Sequence, residues 1–296
     1  MAHEPVLLKE AMELLRPRPG GVYVDGTLGL GGHAERLLEL TGGQARLIGI
    51  EWDDQAAGLA EQRLARFGSA ATVVRDSYVR LPSILEKLDI TAIDGLLLDL
   101  GVSSLQFNDA SRGFSFMGDA ALDMRMSSRV GATAADLLKT LGEKDLEKLF
   151  REYGEERRAR TIARALWKAR GDRSRRDLFE STRALGEFIE GLIGRHGRIH
   201  PATRVFQALR IAVNHELDNV KAILESADKY LKSPGGRLVV ISFHSLEDRI
   251  VKHTLRAKAK EGLVGILTKK PLEAGRDEVR SNPRSRSAKL RAAERT

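Results

Sequence analysis

The sequence predicts an α/β fold, a mostly parallel, Rossmann-like sheet of seven strands with an inserted helical domain. Three observations predict it. Short apolar runs alternate with segments of helical spacing through the first hundred or so residues; a long stretch of charged, helical pattern follows; and the alternation then resumes.

Taken in order, Val22–Val24, Leu47–Ile50, Thr72–Val74 and Ile93–Leu100 are bounded by glycine or acidic residues and have the length of buried parallel strands. Between them, His33–Leu40 and Asp54–Phe67 repeat apolar residues at helical intervals. Strands joined through helices need right-handed crossovers, which implies a parallel sheet with helices on both faces. From Asn108 to Val213 strands cease and helices take over, clearest over Ala135–Leu141, Lys144–Tyr153 and Arg157–Lys168. Asp218–Leu231 then reads as a helix stopped at Ser233-Pro-Gly-Gly236, and Arg237–Phe243 as a fifth buried strand. Leu263–Thr268 and Ser287–Ala293 supply a last pair. The core is therefore expected at 1–107 and 214–296, with 108–213 inserted.

Composition narrows the chemistry. The chain of 296 residues has no cysteine, which excludes disulfides, thiolate metal sites and a cysteine nucleophile. Glu4, Glu10 and Glu13 do not suit a secretory signal, and no apolar run reaches membrane-spanning length, so a soluble cytoplasmic protein with no membrane partner is expected. A net charge of +8 attracts polyanions. Its excess gathers in two places: Arg157, Arg158, Arg160, Arg164, Lys168, Arg170, Arg173, Arg175 and Arg176, facing only Asp172, and Arg284–Arg295. Nucleic-acid contact and a solvated helix face both fit the first cluster.

The turn Asp25-Gly-Thr-Leu-Gly-Leu-Gly-Gly-His33 follows the first strand and opens a helix, where glycine lets the backbone approach a ligand at the carboxyl end of the sheet. About twenty residues on, the second strand ends in Glu51, a carboxylate suited to ribose hydroxyls. These two features serve a nicotinamide dinucleotide as well as a nucleoside, and Gly29-Leu-Gly-Gly-His-Ala34 even fits the dinucleotide fingerprint. The third strand ends in Asp76-Ser-Tyr78, fit to flank an adenine. The fourth ends in Asp99-Leu-Gly-Val-Ser-Ser104, a carboxylate and two hydroxyls at the reacting edge.

Those residues, with Asp109–Met117, Leu122–Met126, Tyr153-Gly-Glu-Glu-Arg157, His200–Arg210 and Ile241–Arg249, resemble the bacterial 16S rRNA cytosine-N4 methyltransferases, the MraW family, from His3 to Arg295. The resemblance implies a class I S-adenosylmethionine-dependent methyltransferase core whose helical insertion recognises RNA, acting on a decoding-centre cytidine of 16S rRNA in the small ribosomal subunit. It leaves a homodimer open. Carried over by motif position, the cofactor contacts are Gly31, Gly32, His33, Glu51, Tyr78, Asp99 and Gln106. Glu51 stands where aspartate is more usual and Tyr78 where phenylalanine is common, substitutions that keep a carboxylate for the ribose and a ring for the adenine.

Methyl transfer from a sulfonium is an in-line displacement that rests mainly on positioning. Attack through cytosine carbon 5 ordinarily uses a cysteine adduct, which this chain cannot form, so the exocyclic amine is the expected nucleophile. That amine needs acceptors for its protons, and Asp99, Ser103 and Ser104 have the chemistry, although serines here also suit helix capping. Phe114 and Phe116 suit stacking on an extruded base or core packing. His200, Arg204, Gln207, Arg210, Asn214 and His215 recur at mostly helical spacing, as a face for phosphate or base, or as one pinned by ion pairs. His244 is placed with the substrate; with Glu247 and Asp248 it also resembles a metal cluster, but no metal is expected. The rival readings are a dehydrogenase, a non-catalytic RNA-binding assembly protein, and a methyltransferase of another RNA or of a protein.

Overall fold

A computed structural model of the chain describes residues 5–195, 197 and 200–296. His3 lies outside them, as do the side chains of Ser104 and Asn108. The chain divides into two compact units, Met1–Gly101 with Leu217–Thr296, and Val102–Glu216.

The first unit opens with α1 (Leu8–Leu15), β1 (Val22–Asp25), α2 (Gly32–Leu40), β2 (Arg46–Ile50), α3 (Asp54–Leu64), β3 (Ala71–Val74), α4 (Leu81–Lys87) and β4 (Gly95–Asp99). The second unit then holds α5 (Ser104–Asn108), α6 (Ala134–Thr140), α7 (Glu143–Glu152), α8 (Ala159–Ala169), α9 (Thr182–Ile193) and α10 (Ala202–Asn214). The chain returns through α11 (Glu216–Ser226) to β5 (Arg237–Ser242), α12 (Ser245–Lys260), β6 (Val264–Ile266), α13 (Arg276–Ser281) and β7 (Lys289–Arg295).

Among the described residues the strands form one seven-stranded sheet in the order β3-β2-β1-β4-β5-β7-β6. β1 to β5 run parallel, while β7 lies antiparallel between β5 and β6. This is the mostly parallel, seven-stranded sheet that the sequence predicts. The interiors of β1, β2, β4 and β5 are mostly apolar because both faces are covered. Alternate residues sort to opposite sides: Val24, Ile48, Leu96, Leu98 and Val240 pack with Ile84, Val220, Ile223 and Val251. Tyr23, Leu47, Leu97, Val239 and Ile241 pack with Met12, Leu37, Leu38 and Leu64. Each such aliphatic side chain contributes about 1.5–3 kcal/mol by leaving water.

The parallel register brings the ends of β1, β2 and β4 level. Asp25 lies opposite both Gly49 and Leu97, so the loops after these strands open on one edge. Helix α3 stops at Leu64, three residues short of the expected Phe67, where a tighter turn begins that is broken at Gly68 (φ +54°). The second unit buries one face of each longer helix, with Leu146 and Phe150 of α7, Ile162 and Leu166 of α8, Leu185 and Ile189 of α9, and Val205 and Leu209 of α10 at its interior. Among the described residues, no helix is long and apolar enough to cross a membrane.

Candidate active site

The glycine turn is held by its own backbone and by the strands beside it. Gly26 donates to the Leu97 carbonyl (2.9 Å), Leu28 to that of Ile50 (3.0 Å) and Gly31 to that of Leu28 (2.8 Å). Gly31 takes φ +78° as the N-cap of α2, a conformation cheap only for glycine. At Gly26 a side chain is excluded for a different reason: a Cβ there would stand 2.6 Å from Leu98 Cδ2 and 3.3 Å from Tyr78 Cβ. The missing side chain lets the turn and the Tyr78 segment come together.

Glu51 ties this turn to the next loop. Its Oε2 accepts the Gly29 amide at 2.8 Å and its Oε1 the Asp53 amide at 2.9 Å, while Asp53 caps α3 through the Gln55 and Ala56 amides. The Trp52 amide also favours the ionised carboxylate, so Glu51 is held by three backbone N–H groups. His33 is buried at the start of α2; its Nε2 donates to the Val6 carbonyl at 3.0 Å, which leaves Nδ1 at 3.9 Å from Asp99 Oδ2.

Three carboxylates meet at this edge without a lysine or arginine partner among the described residues. Burial pushes Asp25 up to about 7, and the nearby Glu51 charge adds to it. Burial pushes Glu51 up to about 7 as well, against the backbone amides that favour its ionised form. Asp99 is raised well above the ordinary range by burial, then by Asp25 and Glu247. Its Oδ1 is buried and has no hydrogen-bond partner among the described residues. The contrast is at the other end of β4, where Asp94 receives the guanidinium of Arg18 (2.5 Å), the ammonium of Lys232 (2.6 Å) and the Val22 amide (2.7 Å). One end of the sheet is neutralised and the other is left acidic.

An unpaired buried carboxylate among others favours a ligand that brings hydroxyl donors and positive charge. A nucleoside carrying a sulfonium and an ammonium meets both needs. A dinucleotide offers the same ribose hydroxyls but brings two negative pyrophosphate charges to an already acidic edge. Asp25 was read from the sequence only as the start of the glycine turn, and Thr27, whose Oγ1 accepts the Asp99 amide at 2.5 Å, was passed over. Their importance follows from β1 lying beside β4.

In the second unit, Ser103 and Gln106 form a capping box on α5. Gln106 N–H donates to Ser103 Oγ (3.2 Å), Ser103 N–H donates to Gln106 Oε1 (3.1 Å), and Gln106 is buried. Ser104 is the first residue of that helix. Phe114 is buried at 8% exposure, which corrects its reading as a base-stacking residue. Phe116 is stacked on His200 (4.5 Å between centroids) and meets Phe206 edge-on (5.0 Å), so this ring also packs inside the unit.

The polar set around α10 is corrected too. His200 precedes the helix, contacting Glu190 at 3.3 Å, and His215 follows it with φ +52°, so neither extends a helical face. Within the helix, Arg204 reaches the Glu155 carbonyl (3.4 Å) and Gln207 donates to that of Tyr153 (3.0 Å). Arg210 forms a two-pronged pair with Glu216 (2.8 and 2.7 Å), and Asn214 is buried against the Met124–Met126 backbone. Intramolecular partners hold the face that the spacing offered to RNA.

Back in the first unit, His244 caps α12 by accepting the Glu247 amide on Nδ1 (3.4 Å), and Glu247 in turn accepts the Phe243 amide (2.8 Å). Asp248 points elsewhere, to a two-pronged pair with Arg291 (2.7 and 3.2 Å). His244 and Glu247 thus take part in capping, while Asp248 is drawn into an ion pair.

Comparison with known proteins agrees with this chemistry. The model of the MraW methylase family matches residues 1–296. The ribosomal RNA small subunit methyltransferase H of Geobacter sulfurreducens is 51% identical over 99% of this chain and 98% of its own. The enzymes of the same name from Syntrophotalea carbinolica and Acidobacterium capsulatum are 48% and 49% identical over the same shares.

Proposed function

The chain belongs to the MraW methylase family, and from that premise we propose that it transfers a methyl group from S-adenosylmethionine to the exocyclic N4 of a decoding-centre cytidine in 16S rRNA, in the cytoplasm. The observation that carries the cofactor is the unpartnered Oδ1 of Asp99 beside Asp25 and Glu51, an acidic edge that fits a cationic donor. The same edge counts against a dehydrogenase.

When bound, S-adenosylmethionine supplies a methyl carbon on a sulfonium, open to in-line attack. The glycine turn through Gly31, Gly32 and His33 gives the donor close backbone approach, Glu51 accepts from the ribose, and Tyr78 lines the adenine. Asp99 holds the donor through its free oxygen, with Gln106 completing the contacts. Ser103, Ser104 or a carbonyl beside them accepts a hydrogen bond from the target amine as its nitrogen turns pyramidal.

The test is incubation with labelled donor and small subunits from cells lacking this modification, followed by digestion of the RNA. N4-methylcytidine is the expected labelled nucleoside. Donor binding without label in the RNA would move the substrate to another RNA or a protein, or leave an assembly role.

A further inference from the structure

Helix α8 has one buried face, formed by Ala159, Ile162, Ala163, Leu166 and Ala169, and its eleven residues include no acidic side chain. The opposite face presents Arg160, Arg164, Trp167 and Lys168, all exposed, at intervals of three and four that set them on one side of the helix. Trp167 is 47% exposed. None of the three cations has an acidic partner among the described residues. The neighbouring α7 behaves differently, its Arg151 pairing with Glu147 one turn away.

This arrangement is unfavourable in the isolated molecule. Arg160 with Arg164, and Arg164 with Lys168, are like charges at i,i+4, a spacing that mildly destabilises a helix. A polyanion reverses the sign of that cost, and an indole among cations gives an unstacked base a flat surface. The polar residues of α10 are engaged within the unit, so α8 is the better-prepared basic face.

We propose that this face of α8 docks a single-stranded segment of the substrate RNA, with phosphates on Arg160, Arg164 and Lys168 and a base stacked on Trp167. The proposal rests on the rRNA methyltransferase reading and adds to it a docking surface outside the cofactor edge.

The experiment measures binding of the full-length protein to unmethylated small subunits over a salt series, beside donor binding by calorimetry. Combined Arg160→Gln, Arg164→Gln and Lys168→Gln is expected to lower the slope of log affinity against log salt by about two, from roughly 0.7 per single-strand phosphate contact. Trp167→Ala is expected to weaken binding about fivefold or more with the slope unchanged, and Trp167→Phe to keep most of the affinity. Donor affinity stays at the wild-type value in each. If the combined variant misfolds, the three single substitutions replace it, each lowering the slope by a fraction of that amount. Unchanged subunit affinity and slope in the charge variants overturns the proposal, and does so even if N4-methylcytidine forms normally. If instead the wild-type protein makes no N4-methylcytidine while these variants still lose subunit affinity, the docking surface stands and the reaction assignment falls.

Discussion

Asn214 closes its side chain on the backbone of Met126, 88 positions earlier, accepting that amide on Oδ1 at 2.7 Å. Its Nδ2 donates to the carbonyls of Met124 (2.8 Å) and Arg210 (2.9 Å). Met124 stands at φ +60°, an unfavourable conformation for a non-glycine residue, so the segment needs an external hold. Asn214→Ala strands a buried amide and a carbonyl and is expected to cost about 3 kcal/mol. Denaturant unfolding followed by helical circular dichroism checks this; a loss below about 0.5 kcal/mol, the range of ordinary surface changes, would contradict it.

Glu51 joins two loops and offers its remaining acceptor capacity to a ligand. Glu51→Gln puts an amide group where an oxygen accepts from Gly29 or Asp53, so one contact is lost and the turn loosens. Donor affinity is expected to fall at least about tenfold, the equivalent of one charge-assisted hydrogen bond. Calorimetric titration with S-adenosylmethionine decides it, and wild-type affinity would remove Glu51 from the donor site.

The acidic edge predicts a pH dependence. Asp25 and Glu51 hold their protons to about 7 in the folded protein, whereas the unfolded chain releases them near the ordinary carboxylate range. Between those values the native state binds more protons, so the contribution of these groups is fully present in acid and is lost as pH rises toward and through 7. Asp25→Asn removes part of that loss. Its thermal midpoint relative to wild type is expected to climb from pH 5 to pH 8; a constant difference would show that Asp25 ionises normally.

Ser103 has two duties that substitutions can separate. Ser103→Ala loses both the cap on α5 and the hydroxyl, whereas asparagine caps as well as serine but has no hydroxyl. If the hydroxyl serves the target amine, both variants slow transfer to subunits about tenfold or more at saturating donor, with donor affinity intact. A fast asparagine variant beside a slow alanine variant would reduce Ser103 to capping.

The parallel strands were legible because burial on both sheet faces leaves a mostly apolar run, which needs no knowledge of neighbours. The glycine turn and Glu51 were legible because their spacing is local. Asp25 and Thr27 were not, since their role depends on which strand lies beside β1, and order across a sheet is not written in linear periodicity. Arg210 and Asn214 misled for a related reason: a polar residue at helical spacing looks the same whether it meets a phosphate or a distant carbonyl. The sixteen-residue α12 was missed because its opening was weighed as metal ligands, although Leu246, Ile250, Val251 and Leu255 recur at helical spacing.

The order of the sheet also sets a schedule for synthesis. β4 emerges long before β5, its parallel neighbour, because the whole of Val102–Glu216 is spelled out between them. At typical elongation rates that interval is on the order of ten seconds. Throughout it, the half-sheet β3-β2-β1-β4 has an uncovered apolar edge of the kind that recruits other nascent chains. The helical segment has time to collapse first, and β7, which must insert between β5 and β6, comes last. Slowing translation within 102–216 is therefore expected to raise aggregation, even though every finished molecule has the same sequence.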